Sequence, residues 1–447
     1  MNKSVRHLAV DILTQVELNH DFASPLLDKV LDDYQLTGNP DGRLLTHLVY
    51  GVLRLRAHLD WIIAKLYRGN FENLNEQIKN ILRISLFQLK FSERIPSFAV
   101  VDEAVKIANK VHPEKSGLIN AILRTFLRRG SNISFPPLKK NSAQHIGSFY
   151  SHPLWLVEEW LAIMGKQNTL ALCAANNKIA PLAIRTNTLK ISRNELVREL
   201  ELQGFDVTPT NYSPHGIIIN QGNIPIQKIT AFSKGLFRIQ DEGAQCISFL
   251  LNPSMNDSVL DACSGSGGKT THLAALMQDQ GVILAIDSNP QKNDALKKEA
   301  ARMGITSIKT ITYDLSAGLP EDLRDSFDHV LIDAPCSGTG TLRRNPEIKW
   351  RIKQKDMDKL NSLQKNILDN SSQAVKKGGH LIYCTCSLLS KENEHIINEF
   401  LKNNKHFSLC EPPSSINQIL IENKLFYRTY PHVHNMDGFF AAVLKRD

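Results

Sequence analysis

Two short segments of this 447-residue chain put a cysteine where it can react. One is Asp333-Ala334-Pro335-Cys336-Ser337-Gly338, directly after the apolar run Val330-Leu331-Ile332; the other is Thr385-Cys386-Ser387, after Leu381-Ile382-Tyr383-Cys384. The thiolate form of cysteine is a nucleophile that can add to an electrophilic carbon. Most single cysteines are instead small buried hydrophobes, and Cys384, still inside its apolar run, fits that description. Cys336 and Cys386 differ because each lies just past a strand-like run. A redox disulfide or a metal pair competes with the nucleophile reading. No His or further Cys cluster completes a zinc set, so no metal is expected.

A second group of residues is suited to a nucleoside. The run Asp261-Ala262-Cys263-Ser264-Gly265-Ser266-Gly267-Gly268-Lys269-Thr270 invites a P-loop reading. A P-loop needs glycine five residues before Gly268, and Cys263 stands there. The dinucleotide pattern G-x-G-x-x-G fails as well, because Thr270 follows Gly265 and Gly267 at the third position. An acidic residue followed by small residues and glycines suits the first-strand loop of a methyltransferase holding S-adenosylmethionine. Asp287 closes the next apolar run, where a carboxylate can accept both ribose hydroxyls. Asp314 follows the third run and is placed to reach an adenine amine.

These residues need elements to position them. Strand candidates at Ser258–Cys263, Val282–Asp287, Ile308–Thr312, Asp328–Asp333 and His380–Cys384 alternate with helical stretches at Thr270–Gln278, Gln291–Met303 and Asp356–Lys376. That alternation predicts a Rossmann-like α/β domain over residues 236–447, with ligands at the carboxyl ends of parallel strands. A last strand pair near Tyr427–Tyr430 and Gly438–Leu444 is placed to close the sheet edge. Residues 136–235 read as a small α/β module. It has strands at 182–187, 216–219 and 235–239, and the capping box Ser192-Arg193-Asn194-Glu195 opens a helix. Residues 1–135 read as an all-α domain, with apolar residues at helical spacing in Val5–Val16, Leu44–Leu55, Ile78–Leu89, Val100–Val111 and Leu118–Leu127. Ser134-Phe135-Pro136-Pro137 interrupts that spacing as a linker.

Composition narrows the class. With 42% hydrophobic and 22% charged residues the chain is globular rather than disordered. No apolar run approaches the ~18 residues of a membrane span. The N-terminus, Met1-Asn2-Lys3-Ser4-Val5-Arg6-His7, leads into a patterned helix rather than a secretory leader. Seven cysteines, an odd number, suit a reduced cytoplasmic protein. The net charge is +8, and residues 1–140 hold 20 Lys/Arg against 14 Asp/Glu. The excess is either a solvated basic face or a footprint for phosphate, with Arg124, Arg128, Arg129, Lys139 and Lys140 as contacts.

The two cysteine motifs, the basic stretch Arg343-Arg344-Asn345-Pro346-Glu347-Ile348-Lys349-Trp350 and the ending Pro431-His432 with Asp437-Gly438-Phe439-Phe440 together resemble the NOL/NOP/Sun group of RNA cytosine-5 methyltransferases. The helical region, with Asn120-Ala121-Ile122-Leu123-Arg124 in its last helix, resembles the NusB-like RNA-binding domain. The fusion is characteristic of bacterial members acting on 16S small-subunit ribosomal RNA, so the resemblance covers nearly the whole chain. It implies S-adenosylmethionine as cofactor, held by Cys263, Ser264, Gly265, Ser266, Gly267, Gly268, Lys269, Asp287, Asp314 and Asp333. It implies Arg343 and Arg344 as further RNA contacts, and a monomer with neither metal nor membrane partner. The family usually has Ala-Ala-Pro-Gly-Gly-Lys after the loop cysteine, where this chain has Ser-Gly-Ser-Gly-Gly-Lys.

Cytosine C5 is a poor nucleophile until a thiolate adds to C6 and makes the ring an enamine. Chemistry alone does not say which cysteine attacks, because a Pro-Cys nucleophile serves in DNA cytosine methyltransferases. The resemblance assigns attack to Cys386 and release to Cys336, with Asp333 at the base. The competing readings are a P-loop NTPase, a tRNA cytosine-5 methyltransferase and a non-catalytic RNA-binding factor. The last leaves both cysteine motifs unexplained.

Overall fold

The computed structural model describes residues 3–92, 95–221, 226 and 229–447; Met1 and Asn2 of the N-terminal reading lie outside them. The chain forms two compact units, residues 1–179 with 342–354, and residues 180–341 with 355–447.

The first unit is helical: α1 Val5–Asn19, α2 Ala23–Asp33, α3 Pro40–Leu66, α4 Glu76–Phe91, α5 Ser97–Val111, α6 Ser116–Arg129, α7 Ser142–Phe149 and α8 Leu154–Asn176. Side-chain caps open several of them. Ser4 accepts from His7 N, and Asn39 accepts from Gly42 N ahead of Pro40. The apolar stripes converge on one core that includes Ile12, Leu48, Ile81, Ile107 and Leu123. α2 was not anticipated, although Ala23, Leu26, Leu27, Val30 and Leu31 fall on one helical face and pack on that core. Arg83 is buried within the unit, and its guanidinium donates to Asp60 at 2.6 and 2.8 Å and to Glu17 at 3.3 Å.

Residues 342–354 complete this unit. Trp350 Nε1 donates to Leu53 O at 2.8 Å, and Ala23 N donates to Glu347 Oε1 at 3.0 Å. The buried Lys349 ammonium donates to Arg54 O, Ser151 O and Asn177 Oδ1 at 3.2, 3.1 and 2.9 Å. This corrects the expectation that Arg343 reaches RNA. Arg343 is 2% exposed and its carbonyl accepts from Arg54 Nη2, while Arg344 is half-buried. Within the basic run, Lys349 is packed inward because acceptors from far earlier in the chain surround its ammonium.

The second unit holds two sheets. The smaller contains β1 Leu182–Thr186, β2 Asp206–Pro209, β3 Gly216–Gln221 and β4 Phe237–Ile239, in the order β2-β3-β1-β4, all antiparallel. The capping box forms as expected: Ser192 N donates to Glu195 Oε2 at 3.0 Å, and Glu195 N to Ser192 Oγ at 3.3 Å. The larger sheet comprises β5 Ser258–Asp261, β6 Val282–Asp287, β7 Ile308–Thr312, β8 Phe327–Asp333, β9 Val375–Thr385, β10 Phe407–Cys410, β11 Ile421–Glu422, β12 Phe426–Arg428 and β13 Phe440–Arg446. Its order is β11-β12-β13-β9-β8-β5-β6-β7, with β10 also on β13. The five strands from β9 to β7 are parallel, and β13 joins β9 antiparallel, which closes that side as the sequence suggested. The helix expected over 356–376 stops at Ser372, and β9 begins at Val375.

Candidate active site

Parallel strands end on one edge, and the carboxyl ends of β5, β6 and β8 are Asp261, Asp287 and Asp333. A cleft of about 370 Å³ opens there, lined by Cys263, Gly265, Asp287, Tyr313, Asp314 and Asp333 among others. The sequence therefore located residues that the fold brings together, and Ser264, Ser266, Gly267, Gly268 and Lys269 form the adjoining turn.

The turn is held from several sides. Gly265 N donates to Asp287 Oδ2 at 3.0 Å, and Asn289 N donates to Asp287 Oδ1 at 2.9 Å. Gly265 has φ +54°, a conformation glycine adopts freely, with open space where a Cβ would stand. Arg238 Nη2 donates to the carbonyl and hydroxyl of Ser266 at 2.9 and 3.1 Å. Arg185 was not anticipated. It is fully buried on β1 and donates to Gly268 O at 2.6 Å and Thr271 Oγ1 at 2.9 Å. Its only sequence signal was an arginine inside an apolar strand. Thr270 donates to the buried Asp261 at 2.6 Å, and burial pushes the Asp261 carboxyl up to about 7. Asp314 spends one oxygen locally, accepting from Ser316 N and Oγ at 2.9 and 2.7 Å.

The thiols adjoin this cleft. Cys336 Sγ lies 3.4 Å from Cys386 Sγ. The neighbouring Cys386 thiol and burial both push the Cys336 thiol well above its ordinary range. Cys384 is fully buried and also pushed up by burial, in keeping with a structural role, and it lies 3.6 Å from Asp333 Oδ1. Lys269 Nζ meets Asp333 Oδ2 at 2.6 Å. Burial alone lowers the Lys269 pKa, but Asp333 beside it outweighs burial and keeps the ammonium charged. Backbone fit is close at Gly340, where a Cβ would lie 1.9 Å from Gly438 O while Gly340 N donates to Cys386 O at 2.8 Å. Among the described residues no group of three or more His, Cys, Asp or Glu is placed to hold a metal, and no helix is long and apolar enough to cross a membrane.

A Rossmann-like domain with this cleft, joined to a small sheet module and a NusB-like helical domain, defines a multidomain methyltransferase. Residues 248–445 match the family model of the 16S rRNA methyltransferases RsmB/F, residues 3–128 the NusB family, and residues 152–227 the ferredoxin-like domain of RsmF/B-like methyltransferases. The chain is 32% identical to the probable ribosomal RNA small subunit methyltransferase B of Bacillus subtilis, over 99% of each chain. It is 34% identical to the corresponding Synechocystis protein, again over 99% of each. The crystal structure of PH0851 is 27% identical and superposes over 100% of both chains with a TM-score of 0.83. The chain belongs to the ribosomal RNA small subunit methyltransferase B family.

Proposed function

We propose that this protein methylates C5 of a cytosine in 16S ribosomal RNA, working in the cytoplasm with S-adenosylmethionine. The observation that carries the reading is the thiol pair, with Cys336 and Cys386 Sγ atoms 3.4 Å apart just past neighbouring strands.

The cleft fits the cofactor in kind. Its volume falls in the range of small-molecule sites. Its carboxylates, Asp287 and Asp314, suit ribose hydroxyls and an adenine amine, and the buried Ser264 hydroxyl has no hydrogen-bond partner among the described residues. Residues Cys263–Lys269, Asp287, Asp314 and Asp333 would hold it. When bound, it supplies an electrophilic methyl group.

The chain's own residues do the rest. Cys386 adds as thiolate to C6 of the base, forming a C–S bond and making C5 electron-rich. Asp333, oriented by Lys269, accepts a hydrogen bond from the N4 amine and so holds the edge of the base in place. Once C5 is methylated, loss of its proton expels the Cys386 thiolate and restores the aromatic ring. Cys336 assists that release. The exposed Arg124, Arg128 and Arg129 on α6 supply phosphate contacts.

Bisulfite sequencing of ribosomal and transfer RNA from cells lacking the gene tests the reading. One methylcytosine should vanish from 16S RNA and return with the intact gene but not with Cys386→Ala. A loss confined to tRNA overturns the substrate, and no loss overturns the activity.

A further inference from the structure

We propose that Glu392 is the positioning residue that ties the two cysteine loops together and sets the separation of Cys336 from Cys386. The inference rests on the two-thiol reading of the site and names what enforces its geometry.

The sheet holds the thiols only part of the way. β8 and β9 pair in parallel as far as Asp333 opposite Cys384, and Ala334 N still donates to Cys384 O at 2.9 Å. Cys336 and Cys386 both lie past that ladder. Ser337 directly follows the first thiol and Ser387 the second, and both reach Glu392. Glu392 Oε1 accepts from Ser337 N at 2.7 Å, while Glu392 Oε2 accepts from the hydroxyls of Ser337 and Ser387.

Gln364 adds a brace on the other side of Cys336. Its Nε2 donates to Pro335 O at 2.9 Å and to Glu392 Oε1 at 3.0 Å. Glu392 itself is fully buried, and its carbonyl accepts from Tyr383 Oη at 2.8 Å on β9. An ionised carboxylate is acceptor-only with about four lone-pair sites, and four donors meet it here. Bonds to an ionised acceptor are shorter and stronger than neutral ones, so this carboxylate is a stiff link. Glutamine in its place loses the charge, and its amide nitrogen would make the two hydroxyls that now donate turn and accept, which weakens the link. No hydrogen bond joins either thiol to Glu392 among the described residues; it holds the loops, and its charge also helps, after Cys386 and burial, to push the Cys336 thiol up.

A trivalent arsenical reads the thiol geometry without RNA or cofactor. Phenylarsine oxide bridges two adjacent thiols, forming two As–S bonds and releasing water. The full-length protein should bind it tightly, and Cys336→Ala and Cys386→Ala should each abolish that bridging. Glu392→Gln and Ser387→Ala should bridge about tenfold more slowly, and kcat should fall up to about 10²-fold with KM for S-adenosylmethionine nearly unchanged. Wild-type bridging rates in folded Glu392→Gln or Ser387→Ala overturn the proposal, as does a loss confined to KM. Should Glu392→Gln not fold, Ser387→Ala decides, since it removes one arm and leaves the carboxylate. Glu392-dependent bridging in a protein without C5 methylation would leave this inference standing and remove the proposed activity.

Discussion

Lys269 Nζ lies 2.6 Å from Asp333 Oδ2, joining the turn after β5 to the end of β8. The ammonium is nearly buried, whereas the carboxylate is about a third open to the cleft. One oxygen of Asp333 is thus fixed while the group stays accessible to a ligand.

Lys269→Met should disturb both sides of that link. A hydrogen bond to a charged group contributes about 1.5–3 kcal/mol when buried, less here because Asp333 is partly solvated. Affinity for S-adenosylmethionine and kcat should both drop, about tenfold each as an order of magnitude. Calorimetry with steady-state assays checks this. Wild-type values for both would mean that Asp333 needs no anchor.

Asp287→Ala should weaken cofactor binding by about 1–3 kcal/mol through lost ribose hydrogen bonds. Asp287 also accepts from Gly265 N and Asn289 N, so the turn should loosen as well. Hydrogen exchange at Gly265 and Asn289 should quicken in the variant. Unchanged calorimetric affinity would place the ribose elsewhere.

The carboxylates of the cleft show what was readable. Asp287, Asp314 and Asp333 each close or follow a short apolar run, and a doubly wound sheet gathers such positions on one edge by topology alone. The cysteines were readable for the same reason. What escaped depends on partners distant in sequence. Lys349 looks like part of a surface basic run, because nothing nearby shows that Ser151 and Asn177 will surround it. Glu392 sits in Ser-Lys-Glu-Asn-Glu, a run with the composition of a solvated turn, yet it is fully buried. α2 was legible too, with Ala23, Leu26, Leu27, Val30 and Leu31 at helical spacing, whereas α7 spans only eight residues and buries just Ile146 and Gly147.

Lys349 makes the helical unit pH-sensitive. Burial lowers its pKa to about 7, against about 10.4 in an unfolded chain. Between those values the unfolded state binds the proton that the folded state has released, so stability rises with pH across that window. Below pH 7 both states are protonated and the effect is flat. The melting temperature of the wild type minus that of Lys349→Met should therefore rise from pH 7 to pH 10. A difference that stays level would show the buried ammonium keeps its ordinary pKa.

Arg124, Arg128 and Arg129 are exposed on α6, and Arg124 Nε donates to Asn120 Oδ1 at 2.9 Å. Neutralising all three should weaken RNA binding and reduce the slope of log affinity against log salt by about two to three units. An unchanged slope would remove this face from the RNA footprint.

The two thiols make opposite predictions because their assigned steps are sequential. Cys386→Ala should abolish methylation and leave no covalent RNA adduct, since no group remains to add to C6. Cys336→Ala should still form the Cys386–C6 bond, and slow release should accumulate a protein–RNA species that survives denaturing electrophoresis. If release after transfer is the blocked step, that species should require S-adenosylmethionine. The double variant should show no adduct, placing Cys386 upstream. At 3.4 Å either sulfur is near enough to influence the other, so position alone does not assign the roles. A stable adduct on Cys386→Ala would reverse the assignment and make the Pro335-Cys336 thiol the nucleophile. Full turnover in both single variants would make the pair structural and remove covalent catalysis from the mechanism.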